Sequence, residues 1–323
     1  MLSLFLMRTE KNLQPIEIST DRIGQRLDNW LFTRVNSVPK SRIYRAIRRG
    51  EVRVNKKRVK AAYKLVLGDR VRIPPLRVNI AVKPHIQKAT IDWLLPRIIY
   101  EDEILLVLNK PSGIAVHGGS HANFGVIDVL RQARNQPDLA LVHRLDKATS
   151  GCLIIAKHQQ VLRQLNDLLR EGKISKEYIC LVKGKWDLGK KRVSLPLRKN
   201  RLRSGEHQVQ VDVAGKVAIT EFSLCETAAM ASLLHAKLYT GRTHQIRVHL
   251  QRLGYPIAGD EKYGDYTFNR QLSLFGLRRL FLHARIIKFR LPGVKKAITV
   301  EAPLEKDLAQ CWKQLKQGSV LTN

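Results

Sequence analysis

The chain has 323 residues, enough for about two domains, and with 44% of them apolar it can bury a sizeable core, which excludes disorder as its main state. Lys and Arg number 58 against 27 Asp and Glu, a net charge of +31. That balance excludes an ordinary enzyme of small neutral substrates and points to a polyanion, most simply a nucleic acid, whose neutralised phosphates release counterions.

The opening Leu2-Ser3-Leu4-Phe5-Leu6 is apolar but too short for a signal core, and Met7 offers an alternative start. No apolar run approaches the roughly 18 residues of a spanning helix. Cys152, Cys180, Cys225 and Cys311 lie far apart without a C-x-x-C pair, so neither a disulfide framework nor a zinc finger is expected. A soluble, cytoplasmic protein away from membranes fits these features. From Ile23 to Val35, the spacing of Ile23, Leu27 and Leu31 predicts a short helix. Residues 40 to 72 hold thirteen Lys or Arg against two acids, Glu51 and Asp69. Within them, Ser41 to Gly50 predicts a helix with Ile43 and Ile47 on one face, Arg42, Arg45 and Arg49 on another, and Gly50 as its stop. Val52-Arg53-Val54-Asn55, the turn Lys56-Lys57, and Asp69 to Pro74 predict short strands. So many like charges without acidic partners are costly to keep together, which favours nucleic-acid contact over a merely solvated face.

Gly24-Gln25-Arg26-Leu27-Asp28, the basic helix, and Gly50-Glu51-Val52-Arg53-Val54-Asn55 resemble the S4 RNA-binding domain over residues 24–75. The resemblance implies an S4-like α/β RNA-binding domain at 24–83, with Arg42, Arg45 and Arg49 touching RNA. Pro74-Pro75 and Val82-Lys83-Pro84-His85 read as irregular chain, giving a linker at 84–97. Strand patterns follow at Ile104–Leu108, Cys152–Ala156 and Glu177–Val182, with helical patterns at Val161–Arg170 and Thr243–Leu253. This mixture predicts an α+β second domain, mainly of antiparallel sheet, at 98–318.

Leu141-Val142-His143-Arg144-Leu145-Asp146-Lys147-Ala148-Thr149-Ser150-Gly151 is a polar loop entering an apolar strand. In isolation Asp146 reads as a turn residue. The loop, however, resembles the signature of the pseudouridine synthases that modify ribosomal and transfer RNA. Leu108 to Gly113, Lys176-Glu177-Tyr178, Thr240 to His249, Gly259-Asp260 and Tyr263-Gly264 resemble further segments of that family in order, over about 98–305. The closest branch acts on 23S ribosomal RNA of the large subunit. The resemblance implies conversion of uridine to pseudouridine, with Asp146 as the essential carboxylate, as nucleophile or base at the sugar. It also implies Tyr178 as the pocket tyrosine near the uracil. Arg247 falls near the start of a helix, where a cation is disfavoured, and the family pattern supplies Asp146 as its anionic partner. Arg144 is expected to stack into the gap left by a flipped base, and Arg242 and His244 to touch RNA.

The isomerisation loses no atom and changes no oxidation state, so no metal or other cofactor is expected. His244 and His249 are five apart, not the i, i+4 spacing of a metal-binding helix face. The expected partner is 23S ribosomal RNA or a pre-ribosomal large-subunit particle, met by a monomer. A non-catalytic assembly factor would not require Asp146, Tyr178 and Arg247 together, and a uracil-releasing hydrolase would typically use a second carboxylate.

Overall fold

The computed structural model describes residues 15–35, 38–76, 86–118, 124–201 and 207–318. The chain divides into two compact units, Met1–His85 and Ile86–Asn323. The expected alternative start at Met7 and the irregular Val82–His85 lie outside the described residues.

The first unit contains β1 (Ile16–Glu17), α1 (Leu27–Arg34), α2 (Lys40–Arg49), β2 (Arg53–Val54) and β3 (Arg70–Arg72). The strands form an antiparallel sheet in the order β1-β3-β2. Helix α2 buries Ile43, Ala46 and Ile47 against Leu27, Leu31, Val54 and Val71, leaving its cationic residues outside this small core. It ends where the sequence places its stop, with Gly50 left-handed at φ 69°. Ile23 departs from expectation: it is 40% exposed and precedes α1. Gly24 is left-handed at φ 75° and Arg26 is extended, which breaks the apparent four-residue stripe.

The second unit starts with α3 (Lys88–Leu94), so the linker expected at 84–97 is helical over most of its described length. Ile86 and Leu94 are buried in this unit's core, and that apolar anchorage outweighs the irregular look of the sequence. Next come β4 (Ile98–Glu101), β5 (Leu105–Lys110), α4 (Val126–Arg134), β6 (Ala140–Leu141), β7 (Ser150–Ala156), α5 (Gln159–Arg170) and β8 (Ser175–Lys183). Short β9 (Lys191–Ser194) precedes the hairpin of β10 (Leu197–Arg201) and β11 (His207–Val211). The chain then forms β12 (Ile219–Thr227), β13 (Ala231–Leu238), α6 (Gln245–Arg252), α7 (Tyr266–Ser273), β14 (Leu282–Phe289), β15 (Ile298–Glu301) and α8 (Lys306–Gln317).

A ten-stranded sheet runs β4-β5-β7-β14-β8-β13-β12-β9, with β15 added to β14 and β6 to β7. It is antiparallel except between β7 and β14. Every residue of β5 and β7 is buried, the mark of strands covered on both faces. Alternation sends Leu106, Leu108, Leu153 and Ile155 to one core and Leu105, Val107, Cys152 and Ile154 to another. Tyr178 faces the first core, beside Leu145 and Ile246, so the sheet's period of two gathers the candidate residues on one face. All four cysteines are free thiols. No helix among the described residues is long and apolar enough to cross a membrane.

Candidate active site

Asp146 sits on the loop between β6 and β7, at a cleft of about 450 Å³ that Arg144, Lys176, Tyr178, Arg242, His244 and Arg247 also line. The loop is built from within. Thr149 N donates to the Asp146 carbonyl at 3.1 Å, the turn that the sequence suggests. His143 Nε2 accepts from Ile154 N at 3.1 Å. Burial pushes His143 down to about 3, so its ring stays neutral and ties the loop to β7.

The segment Leu108–Gly113 is the cradle of this loop. Lys110, with no exposed surface, donates from Nζ to the carbonyls of Pro111 and Ile114 at 2.9 Å and of Lys147 at 3.2 Å. Ser112 Oγ donates to the Ala148 carbonyl at 2.8 Å, and Gly113 N to that of Lys147 at 2.9 Å. Burial lowers Lys110 to about 7, against the upward pull of the Asp146 charge.

Arg247 corrects one expectation. It stands third in α6, near the helix start as the sequence indicates, but its close anionic partner is Asp260. Nε and Nη2 donate to the two Asp260 oxygens, each at 2.7 Å, whereas Nη1 is 3.9 Å from Asp146 Oδ2. Asp260 also accepts from Lys262 N and Tyr263 N. Burial pushes the Asp260 carboxyl up, but Arg247 and these backbone donors bring it below its ordinary value. Asp260 was visible in the sequence only as part of a matched segment, with no role attached.

His244 precedes α6 with φ 54°, so the helix starts at Gln245 rather than at Gly241 or Thr243. Gln245 Oε1 accepts from Arg242 N and Thr240 Oγ1 instead. The Tyr263 hydroxyl accepts from Val209 N at 3.0 Å and gives its proton to His244 Nδ1 at 2.9 Å. His244 Nε2 therefore carries the ring proton and faces Asp146 Oδ2 at 3.7 Å. Burial lowers the His244 pKa, against the opposing pull of Asp146. His249 is structural: Nε2 donates to the Leu195 carbonyl, which leaves Nδ1 to accept from Thr220 Oγ1.

Tyr178 lies between Ala236 of β13 and Ala284 of β14, small partners that leave room for its ring. Burial, and then the Asp146 charge, push its hydroxyl well above the ordinary phenol value. Arg144 and Arg242 are exposed, and Arg242 Nε donates to the Val217 carbonyl at 3.0 Å. Lys176 adds a cation that sequence reasoning did not single out, lowered in pKa by burial.

The arginines of the first unit regroup. Arg42 Nη2 donates to Glu51 at 2.8 Å, so this cation has an acidic partner. Arg45 instead lines a separate cleft of about 730 Å³ with Ser41, Tyr44, Arg48, Arg58 and Lys60. Arg49 is exposed but does not line it. Ser41, Tyr44, Arg45 and Arg48 follow the i, i+3, i+4, i+7 spacing of one helix face, a signal available in the sequence.

Residues 104–252 match the family model described as RNA pseudouridylate synthase, and residues 25–71 match the S4 domain. The ribosomal large subunit pseudouridine synthase C of Escherichia coli (strain K12) is 50% identical, covering 97% of this chain and 100% of its own length. The protein of the same name from Pasteurella multocida (strain Pm70) is 49% identical over 94% of each chain. Among solved structures, Human RNA Pseudouridylate Synthase Domain Containing 4 superposes with a TM-score of 0.58 at 26% identity, covering 70% of this chain and 95% of its own.

The depressed Lys110 sets a pH test of the cradle. With a folded pKa of about 7 against 10.5, the unfolded chain holds the extra proton throughout that window. Folded stability therefore gains as pH rises from about 7 towards 10.5, by at most about 1.4 kcal/mol per pH unit. Lys110→Met removes this slope, so urea unfolding at pH 7 and pH 9 will show the parent gaining on the variant. Parallel pH curves would mean that Lys110 is not perturbed.

Proposed function

The chain belongs to the RNA pseudouridylate synthase family, and from that membership we propose that it converts specific uridines of large-subunit 23S ribosomal RNA to pseudouridine, with Asp146 acting at the sugar and no cofactor. The N1–C1′ bond breaks, the uracil turns, C5 bonds to C1′, and a proton leaves C5 while N1 gains one. Nothing is oxidised or lost, so the reaction itself calls for no metal or nucleotide. The same reading has the protein acting in the cytoplasm, as a monomer, on the RNA or a pre-ribosomal particle.

One observation carries this reading. The Asp146 carboxylate faces an open cleft with His244 Nε2 at 3.7 Å and Arg247 Nη1 at 3.9 Å, and no closer side-chain partner among the described residues. The nearby positive charge favours the ionised form, while the oxygens stay free to react. A hydrolase reading would ask for a second carboxyl as general acid. The neighbouring Asp260 is instead held in its ionised form by Arg247. Tyr178, its hydroxyl hard to ionise, takes the C5 proton only by giving up its own, and Asp146 in the same cleft is the acceptor. Arg144, exposed at the cleft, fills the gap left by the flipped base; Arg242 and His244 contact the flanking RNA. Arg45 and Arg48, with Arg58 and Lys60, hold phosphates on the first unit.

Asp146→Asn keeps the shape and removes the charge. Conversion should vanish, while RNA affinity stays within about three-fold because phosphate contacts dominate binding. Chromatography of nucleosides from treated RNA checks this, and turnover by clean variant protein would dismiss Asp146.

Arg45→Gln with Arg48→Gln should flatten the slope of log Kd against log salt by about one to two, at roughly 0.7–0.9 per phosphate contact. Arg42→Gln, which removes a cation already paired with Glu51, should change the slope little. Equal changes in the two proteins would abolish the distinction drawn between these arginines.

Tyr178→Phe should block conversion of uridine at loss of the C5 proton, with binding retained through the ring. RNA carrying 5-fluorouridine has no C5 proton to lose, so the variant should still reattach that base through C5. Single-turnover rates on the two RNAs decide the matter. Equal impairment on both would assign Tyr178 to orienting the base.

A further inference from the structure

Behind the Asp146 loop a line of polar side chains crosses the second unit without entering the cleft. Asp307 of α8 accepts from Arg279 Nε at 2.6 Å and Nη2 at 2.8 Å. The remaining guanidinium nitrogen, Nη1, donates to Ser150 Oγ at 3.2 Å. Ser150 Oγ is 2.9 Å from His283 Nδ1, and His283 Nε2 is 3.2 Å from the Ala302 carbonyl oxygen. Ser150 and His283 have no exposed surface.

The direction of these bonds is fixed by chemistry. A carbonyl oxygen only accepts, so His283 Nε2 carries the ring proton. Burial keeps the ring neutral, with its pKa pushed down to about 4, which leaves Nδ1 bare. The Ser150 hydroxyl proton therefore goes to His283, and the oxygen turns its lone pairs towards Arg279, which only donates. Arg279 feeds Ser150, Ser150 feeds His283, and His283 feeds Ala302. Reversing any one link strands a buried donor or acceptor, at a cost of about 1–3 kcal/mol.

The place of Ser150 in the chain gives the line its use. It opens β7 immediately after the Asp146 turn, whose last bond runs from Thr149 N to the Asp146 carbonyl. It lies beside His283 at the parallel junction of β7 and β14. The next residue, Gly151, has φ 108°, and a Cβ there would meet the Ala284 carbonyl oxygen at 2.2 Å, so the strands touch backbone to backbone. Lys110 and Ser112 grip the carbonyls of Lys147 and Ala148 in the same loop. The Arg279 line grips its exit.

We propose that Arg279, acting through Ser150 and His283, is a positioning residue for Asp146 that couples the C-terminal helix to the aim of the reacting carboxylate. The inference rests on the reading of Asp146 as that carboxylate. Arg279 touches no substrate in this account. It limits how far the loop can swing, which is what a rate dependent on near-attack geometry requires.

The test uses the full chain with Arg279→Gln, Ser150→Ala, the two combined, and Asp307→Asn, whose half-exposed site makes a folding failure unlikely to intervene. Arg279→Gln and Ser150→Ala should each slow single-turnover conversion at saturating RNA about ten-fold, with Kd within about two-fold. Both cut the same line, so the double variant should be no slower than the slower single. Asp307→Asn should give a smaller loss of the same kind. Hydrogen exchange of residues 143–151 should quicken in each variant, at a temperature well below unfolding. Multiplying losses in the double variant, unchanged exchange, or quickened exchange with an unchanged rate would each overturn the proposal. A parent protein that makes no pseudouridine would count against the functional reading instead, and the exchange measurement would still judge the grip on the loop.

Discussion

A carboxylate that must act on a sugar carbon has to be kept charged without being occupied by whatever keeps it charged. A guanidinium closed over both oxygens would stabilise the anion and block it. No cation at all would let a partly buried carboxyl take up a proton. The Arg247 fork is closed on Asp260 at 2.7 Å, and only its third nitrogen faces Asp146, at 3.9 Å. At that distance Arg247 supplies field rather than a hydrogen bond. Asp260 thus works indirectly. Without it, Arg247 would be free to turn its fork onto Asp146.

The same economy appears in the backbone around the site. Asp146 is carried on a loop, yet it is held from both ends: Lys110 and Ser112 bind the carbonyls that follow it, and Ser150 is locked into the parallel junction with β14. Tyr178 owes its placement to strand alternation and to two flanking alanines. These supports come from β5, β8 and β14, segments distant in sequence and adjacent only because the sheet brings them together. The sheet is therefore what converts scattered residues into one geometry.

That dependence explains what could and could not be read from the sequence. Elements governed by local rules were legible: α2 with its Gly50 stop, the strands at β5, β7 and β8, and the helix at α5 all lie close to where periodicity puts them. Ile23 misled because spacing alone cannot register the left-handed Gly24 that follows it. Residues 88–94 misled because their helix is secured by burial of Leu94 rather than by a strong local pattern. The resemblance led to Asp146, Tyr178, Arg144, Arg242, His244 and Arg247, and all six line one cleft. It did not yield the partner of Arg247, because choosing between Asp146 and Asp260 requires distances. Arg42 failed in the same way: its neighbour Glu51 lies nine residues on, and only the turn at Gly50 brings the two together.

Two scales of electrostatics coexist here. The net charge of +31 acts at long range, gathers a polyanion, and is screened within about 8–10 Å at ordinary salt. Close to the reacting group the protein does the opposite. His143 and His283 are held neutral by burial, His244 is lowered, and Lys110 is brought to about 7. Were all four fully charged, their fields would add at Asp146 and draw it into contacts that compete with substrate. Burial thus separates attraction from reaction: exposed cations collect the RNA, while the enclosed bases serve as hydrogen-bonding struts. The field at Asp146 is left chiefly to Arg247, whose own charge is already balanced by Asp260.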